Sequence, residues 1–170
     1  LLTTRLHDGA QIALTENAGD WASLDQGGYC WYGNNSANGS TYGALYNWIA
    51  VSSVILCPAG WHVATDNDWL IMKDFLGGEL IAGGKLKETG TAHWISPNTG
   101  ATDEFDFTAL PGGWRTDAGS FQGLRTNGYW WTSTPIAPNA WYRHIQNDSE
   151  KLFRVYAGHN YGMSVRCVKD

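Results

Sequence analysis

Five histidines, three cysteines and one acidic run are the residues of this 170-residue chain best suited to chemistry. His7, His62, His93, His144 and His159 form neither an HExxH nor an HxxxH pair, so no two imidazoles share a helix face at metal-binding spacing. His62, in the run GWHV, reads as a hydrogen-bonded core or turn residue. Ser133, in WWTST, lies in no GxSxG elbow and is expected to satisfy backbone groups rather than attack a carbonyl. The pairs Gly77-Gly78, Gly83-Gly84 and Gly112-Gly113 open no phosphate-cradling loop, because neither GK[ST] nor a GxGxxG helix start follows. Asp103-Glu104-Phe105-Asp106 could hold Ca²⁺ with backbone carbonyls, or be a solvated turn whose carboxylates pair with Arg115 or Arg125. Cys30, Cys57 and Cys167 contain no CxxC pair, which argues against a zinc ribbon or a thioredoxin-like site. One disulfide with a free thiol and three buried thiols both fit; the preferred pair is Cys57–Cys167, since each flanks a strand-like segment.

The stronger signal is aromatic. In the run AWYRHIQ (140–146), strand alternation sends Trp141, Arg143 and Ile145 one way and Tyr142, His144 and Gln146 the other. Further on, Leu152, Arg154 and Tyr156 share one side, while Phe153, Val155 and Ala157 share its opposite. His159, Asn160 and Tyr161 follow in a loop. Tyrosine is rigid, amphipathic and cheap to order, which suits it to binding surfaces. Alternation alone does not choose the outward face.

These residues need a scaffold, and composition limits what it can be. Ten Trp and eight Tyr beside 21 Gly suggest short strands and tight turns rather than a helical bundle. A net charge of −5 without any Lys/Arg cluster excludes a phosphate-backbone partner. No apolar run is long enough to span a membrane, and the opening LLTTRLHDG has neither the h-region nor the cleavage pattern of a signal peptide.

Residues 1–30 read as a hairpin-like entry with turns at Asp8-Gly9 and Gly27-Gly28, and 33–43 as a loop. Tyr42, Leu45, Tyr46 and Ile49 recur at helical spacing. Cys57 to Val63 reads as a turn into a short strand. A second helix follows, capped by Thr65 or Asp66, with apolar positions at Trp69, Leu70, Met72, Phe75 and Leu76 and a stop at Gly77-Gly78. Strands are expected near 128–134, 140–146, 151–157 and 162–168. Early helices before a β-rich, loop-heavy half give an α+β domain.

Six motifs, YGALYNW (42–48), CPAGWHVATDNDW (57–69), GGKLKETGTAHW (83–94), SPNTGATDEFDFTALPGGWR (96–115), GYWWTST (128–134) and GMSVRCVKD (162–170), are spread along the chain from residue 42 to its last residue. In them the sequence resembles the Fibrobacter succinogenes major paralogous domain. The resemblance implies a C-type-lectin-like fold over residues 1–170 as one domain, with two helices, a twisted mostly antiparallel sheet and long loops. It also implies an extracellular or cell-surface setting. Trp141, Arg143, Ile145, Leu152, Arg154, Gly162, Ser164, Val165, Arg166 and Cys167 occupy the family's scaffold positions, and His159 stands where Lys is usual. That leaves Tyr142, His144, Gln146, Phe153, Val155, Tyr156, Ala157, Asn160 and Tyr161 as open positions.

The expectation is therefore a non-enzymatic domain whose C-terminal face, including an outward Tyr142–His144–Gln146 row, binds a protein or a glycan. In variable proteins of this fold a diversity-generating retroelement rewrites such positions. No cofactor is expected beyond Ca²⁺ at the acidic loop. Without an EPN or QPD tripeptide, a glycan would bind by aromatic stacking rather than through calcium. The alternatives are an enzyme related to formylglycine-generating enzymes, whose paired active-site cysteines this chain lacks, and a purely structural surface module.

Overall fold

The computed structural model describes residues 1–170. It is an α+β structure built on a mixed five-stranded sheet. The sheet strands are β5 (Gly112–Arg115), β6 (Phe121–Leu124), β7 (Asn127–Ile136), β8 (Asn139–Gln146) and β9 (Phe153–Ala157), in the order β6-β5-β7-β8-β9. Only the β5–β7 pair runs parallel. β1 (Ala13–Leu14), β2 (Gly28–Cys30) and β3 (Leu45–Tyr46) form a small second sheet, and β4 (Trp61–Val63) pairs with β10 (Cys167–Lys169).

Both faces of the large sheet are covered. One carries Trp131, Ala140 and Tyr142 into a core with Tyr46, Trp48 and Val51. The other carries Trp130, Ile145 and Leu152 against Trp69, Leu76 and Leu86 of the helical side. Those helices are α4 (Asp66–Phe75) and α5 (Glu79–Leu86).

The expected α4 forms as its signals dictate. Thr65 accepts the Asp68 N–H while the Asp68 carboxylate takes the Thr65 N–H, a complete capping box. Asp66, buried in its first turn, binds Arg143 at 2.6 Å and Arg154 at 2.9 Å, which fastens the helix to β8 and β9.

Elsewhere the local reading needs correction. Residues 1–30 are not a hairpin: β1 and β2 pair in parallel around α1 (Ala18–Ala22), which Asn17 caps and the buried Trp21 anchors. Within the expected loop, α2 (Ser36–Tyr42) forms because Asn35 caps it and Gly39 lets the Trp31 ring lie against its backbone. The expected helix on Tyr42–Ile49 is instead β3 followed by α3 (Trp48–Val51). Asn47 causes the break, since its side chain accepts the N–H groups of both Gly28 and Ala50. α5 was not expected at all; there are five α-helices rather than two.

Lys87, just past α5, is fully buried. Its ammonium donates to the carbonyls of Thr99, Gln146 and Ser149 at 2.7–3.0 Å and so ties two loops to the sheet. Desolvation pulls it down to about 8.

Candidate binding face

Strand register aligns aromatic side chains across the large sheet. Tyr129 lies opposite His144, and His144 opposite Phe153. Gly113 pairs with Gly128, which brings Trp114 beside Tyr129. The rings stand upright and stack face to face: Trp114–Tyr129 at 4.6 Å and 9°, Tyr129–His144 at 5.0 Å and 13°, His144–Phe153 at 4.8 Å and 23°. These spacings match the separation of neighbouring strands, about 4.8 Å, so the sheet itself sets the stack. Tyr161 leans on Trp114 at 4.9 Å, and the Lys151 ammonium sits 5.3 Å from the Phe153 ring. All five rings are partly exposed.

The stacking decides what the face offers. Each inner ring spends both faces on its neighbours and turns an edge to solvent. Ring edges carry the positive end of the aromatic quadrupole, which suits carbonyl acceptors and aliphatic groups better than a sugar ring seeking a π face. His144 is the most constrained member. Asn127 Nδ2 lies 3.3 Å from its Nε2, while its Nδ1 is buried without a partner. Burial holds the imidazole down at about 4, so it is neutral at physiological pH.

The nine sequence-derived positions divide. His144, Gln146, Phe153 and Tyr161 fall on or beside the ring ladder. Val155 and Ala157 share that side but pack partly into the core. Tyr142 contradicts the expected outward row. It is 6% exposed, wedged against Trp131, Trp114 and Tyr129, with its phenol pushed up to about 12 by burial. Tyr156 lies on the opposite face, 56% exposed and edge-on to Trp141. Asn160 turns inward, donating to the Ala22 carbonyl and accepting Trp21 Nε1–H on its own carbonyl. His159 stacks on Trp48 at 4.5 Å. Sequence reasoning overlooked Trp114 and Tyr129; for Tyr129 the available signal was the alternation within GYWWTST, which puts it on one side with Trp131.

The expected scaffold residues do hold the frame. The Arg154 guanidinium covers Trp141 at 3.5 Å, and Arg166 donates to the Phe107 carbonyl. Arg115, fully buried, donates to the carbonyls of Thr15, Glu16 and Gly119 and stacks on Trp21 and Phe121.

The residues first considered for chemistry have other partners. His62 bonds to Asp170 at 2.6 Å and Asp68 at 3.1 Å, and Ser133 donates to the Val63 carbonyl. Asp103 accepts the N–H and hydroxyl of Thr108, and Glu104 pairs with Lys85 rather than an arginine. Cys57 and Cys167 form the disulfide, and Cys30 is a buried thiol pushed up to about 11 by desolvation.

No curated protein and no solved structure matches this chain. A family model described as the Fibrobacter succinogenes major domain matches residues 1–169, and the chain belongs to that family.

Proposed function

We propose that this member of the Fibrobacter succinogenes major domain family is a non-enzymatic ligand-binding domain of C-type-lectin-like fold, and that the ring ladder is its contact surface. The observation that carries the reading is the four-ring stack Trp114–Tyr129–His144–Phe153, half open and rimmed by Gln146, Asn127 and Tyr161. A row of partly exposed rings held rigidly by strand spacing supplies contact area at little entropic cost. Because the inner rings present edges, a protein surface fits better than a stacked glycan. The Cys57–Cys167 disulfide supports an oxidising, extracytoplasmic setting. The buried state of Cys30 and the pairing of the other two cysteines support a non-catalytic role.

Retroelement rewriting is part of the same proposal, confined to positions that can vary without unfolding the chain. His144, Gln146, Phe153 and Tyr161 qualify; Tyr142 does not. Sequencing many copies of the gene's 3′ end should show adenine-specific differences concentrated at those codons, and uniform ends would remove this part.

For binding itself, a peptide-display library and a glycan array should be screened with the immobilised domain. Binders are expected to weaken about tenfold or more with Phe153→Ser or Gln146→Lys and to be indifferent to Tyr156→Ser. The reverse pattern would move the site to the other face and sink the ladder reading.

A further inference from the structure

In the strand order β6-β5-β7-β8-β9, the two strands that end the large sheet end it differently. β6 is interrupted by Gly123, whose φ of +78° takes the edge out of the extended conformation. β9 has no such device. Its five residues, FRVYA, include no proline and no lysine. Its register with β8 runs unbroken from His144↔Phe153 to Ala140↔Ala157. Outside β8 its main chain has no hydrogen-bond partner. None of its residues is buried, whereas β7 and β8 each bury several. An antiparallel edge strand turns alternate N–H and C=O groups outward, and another extended chain is what satisfies them in series.

The side chains of β9 complement a second copy of itself. Phe153, Val155 and Ala157 stand on one side of the strand, Arg154 and Tyr156 on the other. The strand holds no carboxylate, and its single charge is already matched, since Arg154 bonds Asp66 at 2.9 Å. One face of that guanidinium lies on Trp141 at 3.5 Å, and the side chain stays 39% exposed. Tyr156, two residues on, is 56% exposed and stands edge-on to Trp141. We propose that two copies join β9 to β9, antiparallel and centred on Val155, into one continuous sheet. In this register Arg154 stands opposite Tyr156 of the other copy, which brings a ring to the guanidinium, and Phe153 stands opposite Ala157. The register shifted by two residues towards the N-terminus opposes Arg154 to Arg154 and is disfavoured. Residues 158–161, after the strand, carry no carboxylate, lysine or arginine, so Glu150 and Lys151 before the other copy's strand meet no like charge. The two-fold axis is normal to the sheet, so both ring ladders look the same way. A multivalent surface then meets two ladders at once, while a single soluble ligand binds each as before. The pairing rests on the free edge and not on the ladder reading.

Sedimentation velocity of the parent protein at rising concentration tests this. A contact of five residues a side is small, so the expected equilibrium has a Kd between about 1 μM and 1 mM. Hydrogen exchange in the dimer should slow at the amides of β9 and at no other strand. Tyr156→Arg sets a like charge opposite Arg154 and should weaken the dimer about tenfold or more. Tyr156→Glu faces the same guanidinium and should dimerise at least as tightly as the parent. Both replace an exposed side chain, so at low concentration both should melt like the parent. Gln146→Lys, which tests the ladder, should leave the dimer unchanged, so the two readings fail separately. A parent that stays monomeric at about 1 mM overturns the proposal and leaves the edge to a foreign strand. Equal behaviour of the Arg and Glu variants also overturns it. So does a dimer that Phe75→Ser/Leu80→Ser dissolves, because those two exposed residues lie on the helical side.

Discussion

With Tyr129 and Phe153 walling its ring, His144 favours the neutral imidazole in the fold. Its folded pKa, about 4, lies below the ordinary 6.5, so between those values the unfolded chain binds a proton that the fold refuses. The stability it contributes is therefore complete above pH 6.5 and is lost as pH falls towards 4, by up to about 3 kcal/mol. His62 acts in the opposite sense. Hydrogen bonds that its ring donates to the Asp170 and Asp68 carboxylates raise it, so its contribution is complete below 6.5 and fades as pH rises through its raised folded value. Comparing the parent with His144→Phe in urea at pH 7 and pH 4.5 isolates the first effect: the variant should lose less stability on acidification. Identical pH dependence would contradict the burial assigned to that ring. The tyrosines provide a second contrast. Tyr142→Ala should cost about 3–5 kcal/mol, as for a buried aromatic, whereas Tyr156→Ala should change stability by less than about 1 kcal/mol. Comparable losses would mean that the two residues had been assigned to the wrong environments.

At the scale of elements, α5 depends on contacts far along the chain. Glycines at 83 and 84 lower its intrinsic helicity, yet both are packed against backbone, Gly83 on Glu150 and Lys151 and Gly84 on Gly100. Lys87 completes the junction through its three carbonyls. Lys87→Met keeps the length but leaves those oxygens without a donor, and should cost about 3 kcal/mol or more by chemical denaturation; a neutral result would show that water replaces the ammonium. The same dependence explains what the sequence could reveal. α4 was legible because Thr65, Asp68 and Gly77-Gly78 are local signals. The strands β7 and β8 were legible by alternation. α2 and α5 were not, since what stabilises them is Trp31 lying on Gly39 and the 150s backbone lying on Gly83. Alternation likewise separated Tyr142 from Trp141 correctly, but could not report that Tyr142 is buried while His144 and Gln146, farther along the same side of β8, stay partly open to solvent.

A binding face set by strand register requires a frame that does not yield when it is loaded, and the disulfide is the covalent tie in that frame. Cys57 and Cys167 are 110 residues apart and join the turn before β4 to β10. The enclosed segment includes α4, α5 and the whole large sheet. Closing a loop of that length removes about 4–5 kcal/mol of chain entropy from the unfolded state, a large share of a typical domain's stability of about 5–15 kcal/mol. Cys30 supplies an internal reporter. Its thiol has no exposed surface and burial pushes it up to about 11, so a thiol reagent reaches it only when the structure opens. In the parent protein Cys30 should therefore label far more slowly than a free cysteine. In Cys57→Ser/Cys167→Ser its labelling should accelerate by about a thousandfold, the equivalent of roughly 4 kcal/mol in the opening equilibrium. If labelling accelerates much less than that, the enclosed segment keeps itself together without the bond. The ring ladder would then owe its rigidity to the Asp66–Arg143–Arg154 cluster and to Lys87, which tie the helices and loops to the sheet directly.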